Sequence, residues 1–205
     1  MVVILLSNSG ITRNLKNFVS CEEVPIDHIV LPYEPVQKSI VEETAKKQIF
    51  EYNKTLRPYQ EEVLRIIRPD AGFKLVSMPC GSGKTLIACN HIRSLNPDLI
   101  IAAAPLKTSV DNLMNPFSDF FPDHIKILVD SDKSGTTNRT EIISNLTNLA
   151  NGNKKVIIFV TYHSLENILI KENIMNLGFE KPFLLVDEVM KCSFSKVLIS
   201  ITNCI

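Results

Sequence analysis

From residue 56 onward, short apolar runs alternate with segments whose apolar positions recur every three to four residues. The runs lie at 74–78, 99–104, 125–129, 156–160 and 183–186. They are almost continuously apolar rather than alternating, which predicts strands buried on both faces. Between and before them, helical periodicity predicts helices at 58–68, 83–95, 108–120, 139–151 and 164–176. Pro58 suits the first turn of its helix, and Val63, Leu64, Ile66 and Ile67 form the apolar face there. The order predicts an α/β fold, an open and mostly parallel sheet with helices on both faces. Up to residue 55 the pattern is less regular: an apolar run at 2–6, a proline-punctuated stretch at 24–35 and a predicted helix at 36–53. This part reads as an accessory N-terminal segment (1–55) beside the main domain (56–190) and an atypical tail (191–205).

In sheets of this class ligands bind beyond the carboxyl ends of the strands, so the chemistry is sought there. The run at 74–78 leads into Pro79-Cys80-Gly81-Ser82-Gly83-Lys84-Thr85, and a helical pattern follows at once. Glycines let the backbone turn so that N–H groups converge on anionic oxygens, and a helix N-terminus adds positive potential. Lys84 is placed to reach the β- and γ-phosphates of a nucleotide, and the Thr85 hydroxyl to hold Mg2+. The strict phosphate-loop pattern asks for glycine where this chain has Met78. The strand before and the helix after carry the assignment despite that difference.

The run at 183–186 ends in Asp187-Glu188. By itself such a pair is a solvated turn. On the same sheet edge as a phosphate loop, Asp187 is a candidate Mg2+ ligand and Glu188 a candidate to orient and polarise a water attacking the γ-phosphate.

Composition narrows the partners. Lys plus Arg and Asp plus Glu both count 22, so no global field attracts nucleic acid and any such contact needs a local basic face. Cys21, Cys80, Cys89, Cys192 and Cys204 have no metal-ligand spacing and are odd in number. They read as reduced thiols of a cytoplasmic or nuclear protein. No stretch approaches the roughly 20 apolar residues of a membrane span.

The ordered motifs resemble the first RecA-like motor domain of superfamily 2 helicases and translocases, which include the DEAD-box and DEAH-box proteins. That family's phosphate loop commonly lacks the first glycine, as Met78-Pro79-Cys80-Gly81-Ser82-Gly83-Lys84-Thr85 does. Leu56-Arg57-Pro58-Tyr59-Gln60 is similar to the family's adenine-reading segment, with Gln60 offering a two-faced amide to the base. Two further strand ends, Ala104-Pro105-Leu106-Lys107-Thr108 and Val160-Thr161-Tyr162-His163-Ser164, resemble the family's nucleic-acid contacts. The resemblance implies DNA or RNA contacts at Lys107, Thr108, Thr161 and Ser164, although helix capping accounts equally for the hydroxyls. His163 has no partner at metal-ligand spacing and reads as a packed or surface residue.

The chain departs from the family after Glu188. Val189-Met190 stands where Ala-His or Ala-Asp is usual, and Met190 cannot make their polar contact. Only residues 189–205 follow Glu188, so the expectation is a truncated or frameshifted product or a stand-alone half whose second motor domain comes from a separate chain. The expected function is an ATP- and Mg2+-binding helicase-type ATPase domain, with weak turnover in isolation. The alternatives are a nucleotide- or nucleic-acid-binding module without turnover and a different phosphate-loop ATPase.

Overall fold

The computed structural model describes residues 2–7, 26–30, 55–67, 72–130, 135–170 and 177–188. The predicted helix at 36–53, Val189-Met190 and the tail at 191–205 lie outside the described residues. The strands are β1 (Val2–Ser7), β2 (Ile26–Val30), β3 (Gly72–Ser77), β4 (Leu99–Ala104), β5 (Ile125–Val129), β6 (Val156–Thr161) and β7 (Pro182–Val186). The helices are α1 (Pro58–Ile66), α2 (Lys84–Leu95), α3 (Lys107–Phe120), α4 (Arg139–Asn151) and a short turn α5 (Tyr162–Ser164). Directly after α5 the backbone is π-wound over Leu165–Ile170. The helix expected at 164–176 thus begins two residues earlier, with Thr161 at its N-cap.

All seven strands form one sheet in the order β2-β3-β1-β7-β4-β6-β5, and every pairing is parallel. This is the α/β class read from the sequence. Two of the strands, β1 and β2, come from the N-terminal segment. The apolar run at 2–6 forms β1, which lies between β3 and β7, with Ser7 level with Ser77 and Leu5 level with Val186. Local periodicity identifies a strand but carries no information on which distant strand it joins.

The alternation of side chains explains why the central strands β4, β6 and β7 are almost wholly apolar, whereas the edge strand β5 is exposed at Ile125 and Lys126. In β4, Leu99, Ile101 and Ala103 join α4 residues Ile142, Leu146 and Ala150 on one face. Ile100, Ala102 and Ala104 join Ile87 and Ile92 of α2 and Val110, Leu113 and Phe117 of α3 on the other. A strand sandwiched in this way has no solvent side to carry polar residues. Burying each such Leu, Ile or Phe contributes about 1.5–3 kcal/mol. Phe117 meets Phe159 of β6 edge-on, with ring centroids 6.0 Å apart.

Asp98 fixes the opposite, N-terminal edge. Its carboxylate accepts from the backbone N–H groups of Glu180 (2.6 Å) and Lys181 (2.9 Å), and its carbonyl accepts from Val156 N (2.8 Å). One residue therefore registers the starts of β4, β6 and β7. No helix among the described residues is long and apolar enough to cross a membrane.

His91 of α2 is buried beside Phe183, and its Nε2 has no hydrogen-bond partner. Burial, and secondarily Lys74, push its pKa down to about 4. The unfolded chain, with an ordinary imidazole near 6.5, takes up that proton earlier. Stability is therefore full above about pH 6.5 and falls as the pH is lowered towards 4. Thermal unfolding between pH 7 and pH 4 should show this loss, and His91→Leu should flatten it. An unchanged slope in the variant contradicts the assignment.

Candidate nucleotide site and the adjoining strand ends

The phosphate-loop segment turns off β3 at Pro79. Ser82 donates to the Pro79 carbonyl from both its N–H (3.3 Å) and its Oγ (2.7 Å). Gly81 (φ +77°) and Gly83 (φ +81°) flank that turn in the left-handed region, where a Cβ is strained. Gly83 is constrained twice, because a Cβ there would lie 2.5 Å from Gln60 Nε2. Left-handed residues at this spacing let successive N–H groups face one concavity, here at the N-terminus of α2.

Lys84 opens α2 and folds back into the loop. Its ammonium donates to the carbonyls of Met78 (3.2 Å) and Pro79 (3.1 Å). Burial lowers its pKa, while the charges of Cys80, Asp187 and Glu188 act in the opposite direction. The ammonium therefore lies within electrostatic reach of the acidic pair although 103 residues separate them in sequence. Met78 contributes its carbonyl, since its side chain is packed in the core. Cys80 is exposed on the rim, and Thr85 is half-buried in the first turn of α2.

A brace from α1, which the sequence reading did not contain, holds this loop. Tyr59 Oη (2.8 Å) and Gln60 Nε2 (3.0 Å) both donate to the Ser82 carbonyl. Gln60 Oε1 accepts from Arg57 N at 2.9 Å, closing the cap of α1. Gln60 is only 4% exposed. Where the sequence suggested a base contact, the structure shows the amide as a tie between α1 and the loop.

Asp187 and Glu188 leave β7 at the same edge. Asp187 N donates to Ala103 O at 2.9 Å, extending the ladder past the strand, and Asp187 Oδ1 accepts from Glu188 N at 3.0 Å. Glu188 sits at φ +54°, a left-handed setting for a residue with a Cβ. Such a conformation costs about 1–3 kcal/mol and persists only where surroundings hold it. The Tyr162 hydroxyl, from the end of β6, donates to the Asp187 carbonyl.

The donors fit one metal class. Among the described residues no group of three His, Cys, Asp or Glu could cage an ion. An oxygen site with few protein ligands, such as Thr85 and Asp187 would make, is of the kind that suits Mg2+, which keeps waters and takes ligands from substrate phosphates.

The remaining sequence candidates cluster on the far half of the edge. Lys107 and Thr108 open α3 after β4, and both are exposed. The Lys107 ammonium lies 2.5 Å from Asp130 at the end of β5, reaching across the end of β6 between them. Thr161 caps α5: its Oγ1 accepts from Ser164 N at 3.4 Å and donates to Ser164 Oγ at 3.2 Å. The capping role is thus realised at this pair. Thr108 makes no such cap, because Leu106 holds the N-cap position of α3. His163 is exposed and contacts Asn167.

With this geometry in place, comparison with known families decides the kinship. The family description "Type III restriction enzyme, res subunit" matches residues 53–204. The chain belongs to that family. It is a superfamily 2 helicase-like first motor domain, as the ordered motifs had implied. No curated protein matches the chain. The res-subunit match begins after β1 and β2, so two strands of the sheet come from outside it. One of them, β1, separates the strand of the phosphate loop from the strand of the acidic pair.

The loop geometry is testable without any ligand. Gly83→Ala forces a left-handed alanine and displaces the Gln60 amide, so it should destabilise the fold by about 1–3 kcal/mol. Gly81→Ala meets open space and carries the backbone cost alone. Chemical denaturation should rank Gly83→Ala as the more damaging of the two, and the reverse order contradicts the brace.

Proposed function

We propose that this chain binds ATP with Mg2+ at the loop of residues 79–85 and contacts nucleic acid along the adjoining strand ends. The observation that carries the reading is the convergence of three elements at one sheet edge. These are a left-handed glycine loop at a helix N-terminus, a buried Lys84 within it, and an acidic pair electrostatically coupled to that lysine. An ammonium held on backbone carbonyls can exchange them for phosphate oxygens with no new burial. The backbone N–H groups of Gly81 to Thr85 face the phosphates. Thr85 and Asp187 would hold Mg2+, which would supply the charge that neutralises the phosphates. Glu188 orients the attacking water.

Gln60 serves two ends in this scheme. Its amide has two N–H donors and two acceptor sites, and the contacts to Ser82 and Arg57 use one of each. One donor and one acceptor remain, the pair that the adenine N7 and N6 edge requires. Base recognition is thereby tied to the loop that holds the phosphates.

On the far half, Lys107, Thr108, Thr161 and Ser164 meet phosphodiester oxygens. Lys107 exchanges Asp130 for phosphate, so binding is weak and salt-sensitive.

The experiment is titration of a fluorescent ATP analogue into the purified chain. Lys84→Ala should abolish binding while circular dichroism remains that of the parent. Unlabelled ATP should outcompete GTP, and Gln60→Ala should narrow a preference of about 5- to 150-fold. A folded Lys84→Ala chain with unchanged affinity removes the proposal.

A further inference from the structure

We infer that Tyr162 is a positioning residue that couples phosphodiester binding at the Thr161–Ser164 turn to the setting of Glu188, an inference that rests on the nucleotide reading above. The ring of Tyr162 is 5% exposed and packed in the core against the α4 side of the sheet. Its hydroxyl nevertheless reaches the carbonyl of Asp187. That carbonyl belongs to the peptide joining Asp187 to Glu188. Rotation of this peptide changes Asp187 ψ and Glu188 φ together. Glu188 holds φ +54°, a setting that a residue with a Cβ leaves unless something pins it. The Tyr162 hydroxyl is placed to be that pin.

The other end of the linkage is one residue away. Tyr162 stands inside the turn closed by Thr161 and Ser164, whose two mutual hydrogen bonds are long, 3.2 and 3.4 Å. Bonds of this length are weak. A phosphodiester oxygen can take the Ser164 N–H and the hydroxyls at little cost, and in doing so it fixes the turn that carries Tyr162. The backbone just beyond is π-wound over Leu165–Ile170. Short π-wound stretches of this kind are frequent at functional segments. The element that both sites would bias is the Asp187–Glu188 peptide, whose left-handed setting the Tyr162 hydroxyl holds. Phosphodiester on the turn secures Tyr162 on Asp187, which fixes the acidic pair for Mg-ATP.

Reciprocity makes this measurable as binding. Mg-ATP affinity of the whole chain is measured alone and with saturating single-stranded oligo-dT or, separately, oligo-U. The two arms share the phosphodiester and differ in the sugar and base. In the parent chain at least one oligonucleotide should tighten Mg-ATP binding about 5-fold or more. Tyr162→Phe keeps the buried ring and loses the hydroxyl, and it should bring the ratio to one. Thr161→Val leaves Tyr162 intact, tests the other end of the linkage, and should do the same. A ratio of one in the parent, an oligonucleotide that weakens ATP binding, or an undiminished ratio in folded Tyr162→Phe overturns the inference. Failure of the parent to bind ATP in any arm overturns instead the nucleotide reading beneath it.

Discussion

A parallel sheet covered on both faces confines its polar chemistry to the ends of the strands, and that constraint organises this molecule. β4, β6 and β7 pack apolar side chains against α2 and α3 on one face and α4 on the other, leaving no flank on which a charged group could meet water. Every charged or hydroxyl side chain with a proposed role therefore sits where a strand stops or a helix starts. Because all pairings are parallel, these stops fall on one edge. Loop 79–85, Asp187-Glu188, Lys107-Thr108 and Thr161–Ser164 are neighbours for this reason, although they are spread over more than a hundred residues of sequence.

The strand order divides that edge. β3, β1 and β7 carry the loop and the acidic pair, while β4, β6 and β5 carry the residues resembling nucleic-acid contacts. At this edge, among the described residues, side chains tie separate elements together: Tyr59 and Gln60 onto Ser82, Lys107 onto Asp130, and Tyr162 onto Asp187. The first stiffens the loop and the second spans the far strand ends. Only the third, of these, joins the two halves. A change at one half must pass through such ties or through the packed strands themselves.

Much of this was legible in the sequence because the same constraint writes itself into it. The strands at 99–104 and 125–129 and the helix at 139–151 were read with the bounds they have, and the others differ by one or two residues at the described ends. The family, too, followed from ordered motifs at strand ends. What escaped was non-local. The run at 2–6 read only as a short apolar segment, and its seat between β3 and β7 depends on partners about 70 and 180 residues away. Gln60 showed its amide but not that Ser82 would occupy part of it. Tyr162 carried no signal at all, since an aromatic at a strand end is ordinarily core, and only folding brings its hydroxyl to Asp187.

The central claim is that the backbone of the glycine loop, not an exposed surface patch, receives the phosphates. Amide hydrogen exchange with and without Mg-ATP tests it most directly. Protection should rise at residues 79–86 and at the Asp187-Glu188 peptide, and AMP, which lacks the β- and γ-phosphates, should leave those amides unchanged. Exchange that slows elsewhere while the loop stays as labile as before would contradict the account.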